Sequence, residues 1–248
     1  MLLKHLHDNG VVNIQQMAKD MGVSTLTIRR DLETLEAMEK LSRIHGGAVL
    51  SKRDQKSENI FSSSYTLHKI AIARYAASLV EDGDTIFVNT SSTAVAIIPF
   101  IKAKHVTVIT NNAKAMNEKI PKDINLIFTG GEMRFPKEAM VGDFAINNLS
   151  QVTAGKCFLG CNGITANEGV TTAVMQEASI NNLMLTRVMG PRYILADKTK
   201  IGSRLNFIYG SLKDVTMLIT DTEAPKDLLD ELKQSIAVHQ VEPLSKIF

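Results

Sequence analysis

Apolar positions recur along the 248-residue chain with two periods, and the change of period divides it. Over the first fifty residues the spacing is helical. Leu2, Leu3 and Leu6 share a face and Gly10 closes the segment, which predicts a short first helix. Asn13, with Gln16 three residues on, has the chemistry of an N-cap; Met17, Ala18 and Met21 supply apolar contacts, and Gly22 suits the left-handed turn that ends the helix. A third helix follows Ser24, its cap, with Ile28, Leu32 and Leu35 at i, i+4 and i+7 as the buried stripe. Leu41, Arg43 and His45 then alternate ahead of Gly46-Gly47, the pattern of a β-hairpin.

Beyond Leu50 the chain turns polar, charged and serine-rich, and afterwards short apolar runs alternate with helical stretches. Strands are predicted in "TIFVN", "HVTVITN", "INLIFTGG", "KCFLGCNGI", "RYILAD" and "VTMLITD". Helices are predicted in "TLHKIAIARYAASLV", "STAVAIIPFI", "AKAMNEKI", "TAVMQEASINNLMLTRV" and "APKDLLDELKQS". Apolar strands alternating with helices argue for a mainly parallel sheet covered on both faces. The expected organisation is a small domain over residues 1–52, a linker over 53–64 and a larger α/β domain over 65–248.

Composition adds limits. With 44% hydrophobic and 22% charged residues the chain reads as an ordinary globular protein, neither disordered nor fibrous. It has no run of eighteen apolar residues, and His5, His7 and Asp8 interrupt the N-terminus where a signal peptide needs its apolar core, so a cytoplasmic protein without membrane contact is expected. Cys157, Leu159 and Cys161 alternate and would share one strand face; two such sulfurs suit free thiols packed as small hydrophobes rather than a metal site or a disulfide. The net charge of +2 lies at one end: Met1 to Lys56 carries nine Lys/Arg against seven Asp/Glu, and the remainder nineteen of each.

That small excess gains weight from its position. Helix, tight turn, helix with basic residues near the start of the second is the layout of a helix-turn-helix, whose second helix enters the DNA major groove. Ser24, Thr25, Leu26, Thr27, Arg29 and Arg30 are then the candidate DNA-binding residues of the helix, and Arg43 and His45 those of a hairpin wing lying on the backbone. An arginine either forks onto guanine or holds a phosphate, and the sequence leaves open which does which. The alternative is a solvated outer face. In the larger domain, the loop Asn89, Thr90, Ser91, Ser92 and Thr93 joins a strand to a helix, where hydroxyls and N–H groups suit either an anion or an ordinary N-cap.

Two runs carry a family resemblance: Thr27 to Leu32, "TIRRDL", and Arg43 to Ala48, "RIHGGA". Together they resemble the N-terminal signature of the DeoR family of bacterial transcriptional regulators. Family-like pieces follow in order through the body: Thr110-Asn111, Thr129 to Gly131, Val141-Gly142, Lys156 to Ile164, Glu168 to Thr172, Glu177-Ala178, Ala196 to Gly202 and Ile219 to Asp221. The resemblance implies a winged helix-turn-helix ahead of a sensor domain similar to ribose-5-phosphate isomerase. It places the effector-binding residues at Asn89, Thr90, Ser91, Ser92, Thr93, Gly130, Gly131, Asn162 and Lys200; Lys198 and Arg204 are further candidates for neutralising an anion, with surface solvation as the ordinary alternative.

Where the sequence departs from the family pattern, charge is lost. Asn89 and Asn162 stand where Asp is usual, Ser91 where Gly is usual, and Asn181 where Lys is common. An amide can bond a hydroxyl but cannot act as a carboxylate base or a cation, so isomerase-type proton transfer has lost its agents. The expectation is a DNA-binding repressor of carbohydrate-metabolism genes, not an enzyme, with no cofactor and no metal. Its expected partners are operator double-stranded DNA, a phosphorylated sugar or similar effector, and further copies of itself as a dimer or tetramer. A sugar-phosphate isomerase-like enzyme and a ligand-independent DNA-binding protein with an assembly domain are the alternatives.

Overall fold

The computed structural model describes residues 11–37, 41–44, 47–50 and 64–245. The chain forms two compact units, Met1–Thr66 and Leu67–Phe248. The helix expected around Leu2 to Leu6, His45 of the wing, and residues 53–63 of the linker lie outside the described residues.

The first unit contains β1 (Val11–Asn13), α1 (Ile14–Met21), α2 (Thr25–Ala37), β2 (Leu41–Ile44) and β3 (Gly47–Leu50), with the strands ordered β1-β3-β2. Asn13 caps α1 as its chemistry predicts, its side chain accepting from the N–H groups of Gln15 at 2.9 Å and Gln16 at 3.2 Å. Gly22 ends the helix at φ 65°. Val12, Met17, Ile28, Leu32 and Leu41 form the core of this unit, with Met21 and Leu35 packed against it. Strand β1 was not legible in the pattern, because three residues are too few to show a period.

Helix α3 (Ser64–Ala77) leads into the second unit, which is built on seven strands: β4 (Thr85–Val88), β5 (Val106–Thr110), β6 (Ile124–Phe128), β9 (Lys156–Gly160), β12 (Arg192–Leu195), β14 (Met217–Asp221) and β15 (Ala237–Val241). Their order is β15-β14-β12-β9-β4-β5-β6, and every neighbouring pair is parallel. Both faces are buried, as near-continuous apolar runs require. Phe87, Cys157, Leu159 and Ile194 point into one core, whereas Ile86, Val88, Phe158, Tyr193 and Leu195 point into the other. Each such side chain contributes about 1.5–3 kcal/mol of burial.

Between these strands run α4 (Ser92–Val95), the hairpin β7 (Glu132–Arg134) and β8 (Ala139–Val141), α5 (Asp143–Ser150), β10 (Gly163–Thr165), β11 (Gly169–Thr172), α6 (Met175–Thr186), β13 (Phe207–Gly210) and α7 (Lys226–Lys233). β10, β11 and β13 make a separate small sheet. The helix predicted for Ser92 to Ile101 stops at Val95 and resumes only as a 3-10 turn, Ile98–Phe100, because Pro99 has no N–H to continue the ladder. Helix α6 starts three residues later than predicted, Thr171 and Thr172 being taken by β11.

The strand order fixes where a ligand can sit. From β4 the chain moves outward through β5 and β6; from its neighbour β9 it moves the other way through β12, β14 and β15. The carboxyl ends of β4 and β9 therefore flank a topological switch point, where connections leave in opposite directions and open a crevice.

Candidate functional site

In the first unit, α2 separates its residues by face. Ile28 and Leu32 are fully buried, while Thr25, Leu26, Arg29, Arg30 and Glu33 are exposed along the opposite side. Leu26 is 58% exposed on this side. Ser24 caps the helix by accepting from the Thr27 N–H at 3.1 Å, and its hydroxyl lies 2.9 Å from that of Thr27. Ser24 and Thr27 thus hold one another at the helix start, leaving Thr25, Leu26, Arg29 and Arg30 as the side chains presented outward. Arg43 stands in β2 opposite Ala48 of β3, the hairpin that the alternation predicted.

In the second unit a cavity of about 260 Å³ opens at the switch point. Asn89 closes its floor by joining the ends of β4 and β9. Its Nδ2 donates to the Gly160 carbonyl at 2.9 Å, and its Oδ1 accepts from the Gly160 N–H at 2.9 Å. Ser91 lies so close to β9 that a Cβ on Gly160 would meet its Oγ at 1.9 Å, so only glycine fits there. The Asn89 Nδ2 also donates to Asn181 Oδ1 of α6 at 3.1 Å. The two amides at which the sequence departs from the family pattern, Asn89 and Asn181, therefore touch one another.

The hydroxyl loop divides its labour. Ser91 caps α4, accepting from the N–H groups of Thr93 at 3.2 Å and Ala94 at 3.4 Å. The N–H of Ser91 is itself taken by Asn89 Oδ1 at 3.3 Å. Thr90 and Ser92 remain to face the cavity with their hydroxyls. Lys69 of α3 reaches the same loop, its Nζ donating to Ser92 Oγ at 3.4 Å.

Four lysines, Lys69, Lys114, Lys137 and Lys200, and two acids, Glu177 and Asp197, line the space. The acids are already engaged. Asp197 accepts from the Thr199 N–H at 3.0 Å and from its hydroxyl. Glu177, 2% exposed, holds Lys137 at 2.9 Å and Arg134 at 3.7 Å, both from the β7–β8 hairpin. Lys69, Lys114 and Lys200 make no ion pair with an acid among the described residues. The cavity therefore carries excess positive charge. Asn162 Oδ1 accepts from the Thr172 hydroxyl at 2.9 Å, so its amide is oriented at the rim.

Asn89, Thr90, Ser91, Ser92, Thr93, Asn162 and Lys200 all line this one cavity. Gly130 and Gly131 do not. Gly131, at φ 114°, is where the chain passes 2.5 Å, measured to an added Cβ, from the Val141 carbonyl, so its bareness serves the packing of β8 and α5. Lys198 and Arg204 are engaged by Glu223 and Glu168, the latter at 3.2 Å. The sequence reading missed Lys69, Lys114 and Lys137. Each stands alone in its own segment, and only the fold brings them to one place.

His68, Asp221 and Glu223 bring their ligand-type atoms within 4.8 Å of one another. His68 Nδ1 lies 3.2 Å from Asp221 and Nε2 lies 3.7 Å from Glu223. Asp221 also accepts from the N–H groups of Lys198 at 2.7 Å and Glu223 at 3.1 Å, and the Lys198 ammonium lies on Glu223. The Lys198 ammonium thus already answers Glu223, and the group places His68 of α3 beside the end of β14. Burial pushes the thiols of Cys157 and Cys161 up to about 12, so both are protonated near neutrality.

A helix-turn-helix joined to a body that offers a small cationic cavity defines a DNA-binding regulator with its own sensor. The DeoR-like helix-turn-helix domain matches residues 1–54, and the DeoR C terminal sensor domain matches residues 65–222. The chain belongs to the DeoR family of transcriptional regulators. It is 32% identical over 246 residues to an uncharacterized HTH-type transcriptional regulator, FruR, of Bacillus subtilis, covering 98% of this chain and 97% of that one. The lactose phosphotransferase system repressor of Staphylococcus epidermidis is 32% identical over 226 residues, 89% of each chain. Among solved structures, ribose 5-phosphate isomerase A of Methanocaldococcus jannaschii overlaps 56% of this chain and 55% of its own at 19% identity and a TM-score of 0.39. The protein is a regulator and not an enzyme. Among the described residues no helix is long and apolar enough to cross a membrane.

Proposed function

We propose that the protein is a cytoplasmic repressor of carbohydrate-metabolism genes that binds operator DNA as a homo-oligomer and changes its affinity when a phosphorylated sugar, or an anion of similar chemistry, occupies the cavity. The carrying observation is the excess of lysine in a small space at the switch point: three ammonium groups without a described acid partner, beside the hydroxyls of Thr90 and Ser92. A volume of about 260 Å³ suits a compact metabolite, since drug-sized ligands occupy about 300–1,000 Å³. The relative named as a lactose phosphotransferase repressor supports a sugar-linked role.

In this reading Thr25, Leu26, Arg29 and Arg30 meet the major groove, Ser24 and Thr27 set the helix start, and Arg43 and His45 lie on the backbone. Lys69, Lys114 and Lys200 neutralise the ligand's anionic group, and Asn162 bonds its hydroxyls. Two-fold operators call for paired recognition helices, and the exposed Phe135, Phe144 and Met116 of the body, 70%, 77% and 62% accessible, favour assembly through it.

The test is thermal unfolding against inorganic phosphate, free sugars and sugar monophosphates. Binding to the folded state stabilises it by about 2.7 kcal/mol at one hundred times Kd and so raises the midpoint in a concentration-dependent way. Ser92→Trp should remove that stabilisation and leave operator binding intact. A wild type indifferent to every anion would instead leave the body as an assembly module.

A further inference from the structure

We propose that Lys69 is an effector-binding residue and the point at which occupancy of the cavity is passed to the DNA-binding unit. The inference rests on the anion-sensing reading above. α3 is the first described element after the strands of the DNA-binding unit, and its residues 64–66 are counted with that unit while the rest belong to the body. Whatever shifts the start of α3 therefore acts on the connection to the head through the covalent chain itself.

The first turns of α3 meet the rest of the body at two neighbouring side chains: Lys69 at a loop that lines the cavity, and His68 at the end of β14, outside the lining. Lys69 reaches the α4 loop, donating to Ser92 Oγ at 3.4 Å. An ammonium carries three donors, and one long bond to a neutral hydroxyl satisfies it poorly. A phosphate oxygen entering the cavity offers Lys69 a shorter, charge-assisted bond. His68, 5% exposed, lies with its Nδ1 3.2 Å from Asp221. Asp221 in turn accepts at 2.7 Å from the N–H of Lys198, at the start of the segment that brings Lys200 to the cavity. A ligand that engages Lys69 on one side and Lys200 on the other loads both anchors of the same helical turn. Lys114 also lines the cavity, but from the 3-10 turn Ala113–Asn117, which lies deep in the body sequence between β5 and β6. Lys69 and Lys114 thus contribute the same charge to the cavity and differ in what they are attached to.

That difference sets the experiment. Full-length wild type, Lys69→Met and Lys114→Met are each titrated with inorganic phosphate and a panel of hexose and pentose monophosphates, binding being read by thermal unfolding. Operator affinity is read by anisotropy on a duplex that the wild type selects from a random pool. At saturating sugar phosphate the wild-type operator affinity changes by about 5- to 150-fold, the usual span of coupling between two sites. Lys114→Met needs more sugar phosphate but reaches the same change. Lys69→Met is still stabilised at high sugar phosphate, yet its operator affinity moves by less than about twofold, because its coupling is lost. Equal responses in the two variants at saturation overturn the proposal, as does a wild type that binds a sugar phosphate without any change at the operator. If no anion stabilises the wild type, the anion-sensing reading itself fails, and this inference with it. Should Lys69→Met lose its cooperative transition, Lys69→Gln carries the same expectation.

Discussion

Changing Asn89 to Asp replaces one NH2 group by an oxygen and hardly alters shape, so it isolates the electrostatics of the switch point. Asn89 is 1% exposed, and its Nδ2 donates to the Gly160 carbonyl at 2.9 Å and to Asn181 at 3.1 Å. After the substitution a carboxylate oxygen, itself buried, faces two acceptors. An uncompensated buried charge costs about 3–5 kcal/mol. For a unit of this size that lowers the melting midpoint by about 6–20 °C. Asn181→Lys should answer the charge, because Asn181 borders the cavity and a longer side chain has room there. The double variant should recover all but about 1 kcal/mol, the net worth of the bond to Gly160 that no lysine restores. Burial raises the pKa of the new carboxyl, so the folded state binds more protons than the unfolded one above about pH 4. The deficit of the single variant therefore grows as pH rises from about 4 to 7, and the double variant shows little of this slope. Urea unfolding of wild type, both single variants and the double at pH 5 and 7 measures the cycle. Asn89→Asp within about 0.5 kcal/mol of wild type at pH 7, or strictly additive effects, would refute the coupling of the two amides.

Three further outcomes are expected. Arg29→Ala or Arg30→Ala should cost about 1–3 kcal/mol of operator binding: a base-contacting arginine relaxes preference at one position, and a phosphate-contacting one weakens all sequences and lowers the salt slope by about 1, as competition binding at several salt concentrations will show. Leu26→Ala should leave unfolding within about 0.5 kcal/mol of wild type, since Leu26 is 58% exposed, while altering operator preference in a selection experiment. With its thiol fully buried and pushed up to about 12, Cys157 should be labelled by iodoacetamide at pH 8 in the unfolded chain and not in the native chain over the same interval.

The legible parts of this protein are those where one chemical requirement falls on neighbouring residues. Asn13 and Gly22 announce a helix because a cap acts within a turn of the chain, and Ile28 with Leu32 announce its buried side through a period of four. The apolar runs of β4, β9 and β12 likewise reveal strands buried on both faces. Elements fixed by distant partners were hidden. The β7–β8 hairpin and β11 are three or four residues long, and β15 mixes Val238 with His239 and Gln240 because it closes the sheet edge beside β14. The site shows the same division. The hydroxyl loop is contiguous and was found, whereas Lys69, Lys114 and Lys137 meet only because β4, β5 and β9 are adjacent. Gly130 and Gly131 were placed with the ligand by resemblance, but neither lines the cavity, and the bareness of Gly131 serves the contact with β8. Asn89 and Asn181 were read as separate losses of charge, and only the fold brings them into contact at 3.1 Å.

The central claim, that one molecule couples a sugar-phosphate cavity to operator binding, is tested most directly by reciprocity. Isothermal titration of the full-length protein, free and saturated with selected operator duplex, gives two dissociation constants for the best-bound hexose or pentose monophosphate. Linkage requires their ratio to equal the factor by which that sugar phosphate changes operator affinity, expected at about 5- to 150-fold. Matching ratios well away from one are predicted. Identical sugar-phosphate affinities for free and operator-bound protein would contradict the account.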